Sequence, residues 1–244
     1  MNEYKIVSKG SIGFAFFCVA LTVLMLLSPA ADAAMTTAPQ TVYFGGTPNL
    51  SKSLVFNQFD NQGGALTLQA VHISFVIKVE GGVLVLDNDS DVAASGNYEL
   101  GASASISSSD VILLNDLYQP VTPSLSAVTS DVFNLAANVG DGPLDFSSDA
   151  PDGVRIDGAD KLVSSSGSIT NSIFLNGFEG AGTFTIKVNA VQWTDYGAVS
   201  GIEVGYSPVT LSDTESYVSV AYEYIPEPAT MALLGIGGLL IRRK

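Results

Sequence analysis

Cysteine, histidine and tryptophan occur once each, as Cys18, His72 and Trp193, and ten basic side chains stand against 24 acidic ones in 244 residues. Each shortage excludes something. One cysteine cannot close an intramolecular disulfide, and the chain contains no zinc motif, phosphate-binding loop or basic groove. A formal charge of −14 and a pI near 4.1 argue against nucleic-acid partners, whose phosphates require a Lys/Arg footprint. Charged residues make up 14% of the chain against 47% hydrophobic ones, which excludes a disordered polyelectrolyte. At roughly 150 residues per domain, the length suits one ample domain or two small ones, flanked by two tails.

The first tail has the pattern of an export signal. Lys5 and Lys9 precede an uncharged apolar run from Ile12 to Leu27, Ser28-Pro29 breaks it, and Ala31-Asp32-Ala33 offers small residues at the spacing a signal peptidase reads. Residues 1–33 are expected to be a signal peptide, cleaved after Ala33. Cys18 leaves with it, so the mature chain has neither a disulfide nor a thiol nucleophile.

The second tail begins at Pro226-Glu227-Pro228, which ends the preceding element because proline lacks an amide donor and fixes φ. The uncharged run from Ala229 to Ile241 would reach about 20 Å as a helix, short of a hydrocarbon core of about 30 Å. Arg242, Arg243 and Lys244 then form a basic stop that the positive-inside rule keeps cytoplasmic. The run reads as a short, transient transmembrane helix. In this order and place the three parts resemble the PEP-CTERM sorting signal of Gram-negative bacteria. The resemblance implies cleavage near the motif by a membrane-embedded exosortase and transient anchoring in the inner membrane. It also implies delivery of the body to the cell surface or extracellular matrix, in bacteria that make exopolysaccharide and biofilm matrix.

Between the tails, residues 34–225 hold five basic and 21 acidic side chains, a net charge of −16, which attracts cations rather than anionic polymers. The period is two. Phe184, Ile186, Val188 and Ala190 alternate with Thr183, Thr185, Lys187 and Asn189, as in a half-buried strand. From Leu66 the apolar positions are even, then odd from Val71 to Val79, and the phase slip near Ala70 predicts a bulge or a break. Val218, Val220, Tyr222 and Tyr224 alternate just before the second tail. Gly81-Gly82, Asp87 to Asp91, Asp141-Gly142-Pro143, Asp157-Gly158 and Gly180-Ala181-Gly182 read as turns, as do the Ser-rich stretches 103–109 and 164–168. Leu125 to Ala137 is the one stretch with a helical alternative, weakened by Thr, Val and missing caps. The expected fold is all-β: an antiparallel, jelly-roll-like β-sandwich over 34–225. The body also resembles the choice-of-anchor E domain, an extracellular β family found with PEP-CTERM tails. The resemblance rests on Phe59-Asp60 with Gly64 and Leu66, on Phe178 to Phe184, and on Tyr222-Glu223-Tyr224.

Candidate chemistry is sparse. His72 with Ser74 invites a hydrolase reading, but neighbours at i and i+2 on a strand, without a nucleophile elbow or third group, fit an exposed strand histidine better. Asp87, Asp89 and Asp91 place carboxylates as a calcium loop begins, yet Val92 and Tyr98 stand where Gly and Glu are needed. A looser structural calcium site and a solvated turn both remain. Asp149, Asp152, Asp157 and Asp160 form a second acidic stretch. Trp193 with Tyr196 and Tyr206 offers a sugar platform, against the more frequent role of a core tryptophan at a strand end. The sequence therefore points to an exported, non-enzymatic surface or matrix protein, with exopolysaccharide binding as the alternative and a secreted hydrolase last.

Overall fold

The structure, a computed structural model, describes residues 33–140, 146–149, 151–158, 160–197 and 199–226. Thirteen strands follow one another among them: β1 (Met35–Thr36), β2 (Gln40–Tyr43), β3 (Leu50–Asn57), β4 (Leu66–Glu80), β5 (Val83–Asn88), β6 (Ala94–Ser107), β7 (Leu125–Leu135), β8 (Gly153–Asp157), β9 (Lys161–Ile169), β10 (Thr183–Asp195), β11 (Ile202–Ser207), β12 (Thr210–Leu211) and β13 (Tyr217–Pro226). One helical turn, α1 (Ser172–Leu175), leads into a 3-10 turn at Asn176–Phe178. Asn171 caps it, its side chain accepting from the Ile173 amide.

Every pairing between these strands is antiparallel, and they form three sheets. In a six-stranded sheet β13 lies between β1 and β2 on one side and β4 on the other, while β9 pairs with the far edge of β4 and β12 with its end. A four-stranded sheet has the order β3-β10-β6-β7, and a three-stranded sheet the order β11-β5-β8.

Period-two alternation accounts for the core. Phe184, Ile186, Val188 and Ala190 of β10 are buried, as their alternation requires, and so are Leu68, Ala70, Val71, Ile73, Phe75, Ile77 and Val79 of β4. The phase slip is a bulge: Glu223 pairs with Ala70 and Tyr224 with Leu68. Gln69 is the extra residue that lets an even and an odd set bury the same face of one continuous strand. The two larger sheets contribute to one hydrophobic cluster. Phe56 and Phe184 are cross-strand partners with ring centroids 5.7 Å apart, and Phe178 stands edge-on to Phe184 at 5.1 Å. Phe59 packs on Tyr222 and Tyr224 at 5.6 and 5.4 Å. Its amide donates to the Phe178 carbonyl at 2.8 Å, and Gly180 returns a bond to its carbonyl at 3.0 Å. Tyr222 Oη donates to the Asn57 carbonyl at 2.6 Å, tying the two larger sheets together. Burial pushes the pKa of this phenol up, against the opposing effect of a hydrogen bond with Gln40, so it stays a donor across the physiological range.

Several expected turns are strands. Ser103 to Ser107 lies in β6, and Ser164 to Ser168 in β9. The small residues of β9 have a packing reason: a Cβ at Gly167 would come within 2.1 Å of the Val121 carbonyl oxygen. Leu125 to Leu135, with its helical alternative, is β7. Asp87 and Asn88, assigned to a turn, end β5 and are buried. Gly81-Gly82 does turn the chain, but into another sheet, because β5 pairs with β8 and β11. Gly82 suits that corner, with φ of 85° and room for no more than a hydrogen, since a Cβ would meet the Val209 side chain at 2.6 Å. Asp141 to Pro143 lies outside the described residues.

Candidate functional site

The three-stranded sheet gathers acids. Glu203 of β11 pairs with Asp87 of β5, and directly opposed residues project on the same face of a sheet. Asp89 joins them. One carboxylate oxygen from each of Asp87, Asp89 and Glu203 lies within 4.8 Å of the others, a spacing at which like charges repel unless a proton or cation intervenes. Asp87 Oδ2 accepts from the Ser147 amide at 2.9 Å, Asp89 Oδ1 from Asn138 Nδ2 at 3.3 Å, and Glu203 Oε2 from the Phe146 amide at 3.3 Å. Glu203 Oε1 is buried with no hydrogen-bond partner among the described residues. Buried Asn88 braces the loop, accepting from the Ser90 amide at 3.1 Å and donating to the carbonyls of Val92, at 2.9 Å, and Ala136. Three carboxylates offering only oxygen suit a hard cation such as calcium, which takes oxygen ligands at 2.3–2.6 Å.

Asp91, placed in this set from the sequence, is exposed in the bend after β5, and Glu203 takes its place. The cause is strand pairing: the register of β5 with β11 selects the third acid, and nothing local to residues 87–91 signals it. The other acids serve separate ends. Asp152 is buried and accepts from the Val139 amide at 2.7 Å, Asp157 accepts from Arg155 at 2.8 and 3.0 Å, and Asp160 lies 3.8 Å from Lys78 Nζ. Asp149 is exposed, with its amide 3.2 Å from Ser147 Oγ.

His72 sits on the solvent side of β4 and is engaged at both nitrogens, Nδ1 with Ser168 Oγ at 2.8 Å and Nε2 with Glu223 Oε2 at 2.9 Å. Its sequence neighbour Ser74 bonds to neither nitrogen. Both partners come instead from the flanking strands β9 and β13. The network reads as a brace across three strands.

Trp193 is exposed, not in the core, and its indole N–H donates to Glu99 Oε2. Tyr196 and Tyr206 share a hollow of about 310 Å³ with Gln192, Thr194 and Val204; Trp193 does not line it. A larger concavity lies on the outer face of the six-stranded sheet. There two adjoining hollows of about 480 and 360 Å³ share Tyr43, Ser74 and Tyr217.

The tails lie mostly outside the described residues. This holds for Ala31, for Glu227, Pro228 and the run 229–241, and for Arg242, Arg243 and Lys244. Ala33 is the first described residue. Pro226 ends β13, paired with Leu66. Among the described residues no helix is long and apolar enough to cross a membrane.

A search of curated proteins found no match. Among solved structures, similarity extends to the structure of infectious bursal disease virus Gt strain, at 10% identity over 82% of this chain and 39% of that chain, with a TM-score of 0.18. It extends also to the infectious bursal disease virus VP2 subviral particle, at 11% identity over 82% and 42% of the respective chains, again with a TM-score of 0.18. The chain spans about two fifths of the length of those chains. Residues 225–244 match the model of the PEP-CTERM protein-sorting motif. The motif marks a protein that is exported, transiently anchored in the membrane and processed by an exosortase.

Proposed function

We propose that the chain is a non-enzymatic structural or matrix-associated protein of the cell surface. In this reading residues 1–33 are removed by signal peptidase, residues 34–225 form a jelly-roll-like β-sandwich related to the choice-of-anchor E domains, and residues 226–244 are the transient anchor. The observation that carries it is the junction between body and tail. Ile225 and Pro226, the first residues of the sorting match, pair with Thr67 and Leu66 inside the six-stranded sheet. Cleavage just beyond them separates the anchor and leaves the body's ladders untouched.

The test is mass spectrometry of the surface protein from cells that carry an exosortase. The expected mature chain starts at Ala34 and ends close to residue 226. Replacing Pro226, Glu227 and Pro228 with alanine leaves export intact and accumulates full-length tail in the membrane fraction. Wild-type surface protein that still ends at Lys244 overturns the reading.

A second reading concerns stability. We propose that Asp87, Asp89 and Glu203 hold a structural calcium ion, supported by the direct opposition of Asp87 and Glu203 and by the buried, unpartnered Oε1 of Glu203. An export destination would supply the ion at the concentrations that extracellular calcium modules need, with Kd of about 10⁻⁴–10⁻³ M.

A further inference from the structure

The outer face of the six-stranded sheet sets rows of hydroxyls beside an exposed tyrosine. Two rows run across four strands. Tyr43, Tyr217, Val76 and Ser164 are successive register partners on β2, β13, β4 and β9, and Thr41, Ser219, Ser74 and Ser166 form the next row. With strands about 4.8 Å apart, each row extends about 14 Å. The second row consists entirely of hydroxyls. Thr41 Oγ1 donates to Ser219 Oγ at 3.2 Å, and among the described residues the hydroxyls of Ser74, Ser164 and Ser166 have no hydrogen-bond partner in the protein. Tyr43 is 53% exposed and meets Tyr217 edge-on, with centroids 5.6 Å apart. The two hollows lie over these rows; among the described residues Glu215 is the charged side chain lining the larger one, and His72 lines the smaller.

We propose that this trough binds a neutral polyhydroxylated glycan. Hydroxyls both donate and accept, so a row of them matches a polymer of hydroxyls without a fixed charge pattern. The exposed tyrosine presents an apolar ring beside a polar tip, the combination that packs against the C–H face of a sugar while its oxygens stay hydrogen-bonded. Charge selects among glycans. In a chain of net charge −14, a polyanionic polysaccharide is repelled by the surrounding field, whereas a neutral one is not. Sheet geometry helps: the rows are preformed on four paired strands, so little backbone freedom remains to be lost on binding.

The inference rests on the surface destination proposed above, where such polymers occur, but it is tested independently of processing. The protein is purified from the surface fraction of exosortase-carrying cells, or as the full chain in detergent if processing is absent. It is then run in native gels cast with dextran, mixed-linkage β-glucan, galactomannan or alginate. At least one neutral polymer should retard the wild type, with alginate giving no retardation. Tyr43→Ala should weaken the retardation at least tenfold, and so should Ser74→Asp, which places a charge in the shared floor of both hollows. Trp193→Ala, an exposed aromatic outside the trough, should leave it unchanged, and equal melting temperatures show that the variants are folded. Retardation by no neutral polymer, preference for alginate, or equal retardation of Tyr43→Ala and wild type each overturns the assignment. A correctly processed C-terminus together with no retardation rejects the trough and spares the sorting reading.

Discussion

The two larger sheets and the three-stranded sheet bury different chemistry. Between the larger sheets the buried side chains are overwhelmingly apolar, with Phe56, Phe75, Phe178 and Phe184 at the centre. In and beside the three-stranded sheet the buried set includes Asp87, Asn88 and Asp152 next to Leu84 and Leu86. Asp87 and Asp152 are the buried carboxylates among the described residues. The first region is held by removal of apolar surface from water, which depends little on the solutes present. The second is held by hydrogen bonds to carboxylates and by whatever counter-charge Asp87, Asp89 and Glu203 find. One molecule thus combines an apolar core with an edge that buries carboxylates.

The comparison breaks first, and by most, if the larger sheets are not the stabilising core. Phe75 is fully buried in β4, with its ring 6.2 Å from that of Phe44. Phe75→Ala removes that packing and leaves a cavity, and should destabilise the chain by about 3–5 kcal/mol, with no dependence on calcium. Urea melts of wild type and variant, with chelator and with calcium, check both points. A loss below about 1 kcal/mol would mean that the cluster is not the core it resembles.

The comparison sharpens with the cation itself. If Asp87, Asp89 and Glu203 hold calcium, an excess of about a hundredfold over Kd should stabilise the full chain by about 3 kcal/mol, or about 5–10 °C for a chain of this size. Glu203→Gln keeps the shape and removes one of two opposed charges. The variant should match or exceed wild type in chelator, where repulsion from Asp87 is relieved, and should lose the calcium response. An unchanged wild-type melt in about 10 mM calcium, well above the weak extracellular Kd range, removes the ion from the account.

The sequence revealed these two regions unequally, for a physical reason. Strands of the larger sheets bury one face and expose the other, so β10 and the slipped pattern of β4 were legible as alternation and as a bulge. β9 was not, because its inner face lies so close to the Val121 carbonyl that Gly167 has no room for a side chain, and a strand of small residues reads as a turn. The acidic site was half legible. Asp87 and Asp89 are local to each other, but Glu203 arrives through the pairing of β11 with β5, and Ser168 and Glu223 reach His72 in the same way across β4. Contacts made across strands depend on register, which no local spacing encodes.

Asp91 provides the smallest and most discriminating test of that difference. By spacing alone it is the third ligand of a loop that starts at Asp87; by strand pairing it is a solvated residue and Glu203 is the ligand. Asp91 is exposed and follows the end of β5, so its charge is screened by water and its removal leaves no buried group unpaired. Asp91→Ala should therefore change stability by less than about 0.5 kcal/mol and leave the calcium-induced rise in melting temperature at its wild-type size. Asp89→Ala, two residues earlier, should reduce that rise, because Asp89 contributes one of the three converging oxygens. Calorimetric melts of the two variants with and without calcium separate the two accounts. A calcium response lost in Asp91→Ala and kept in Glu203→Gln would return the site to the local loop and remove β11 from it.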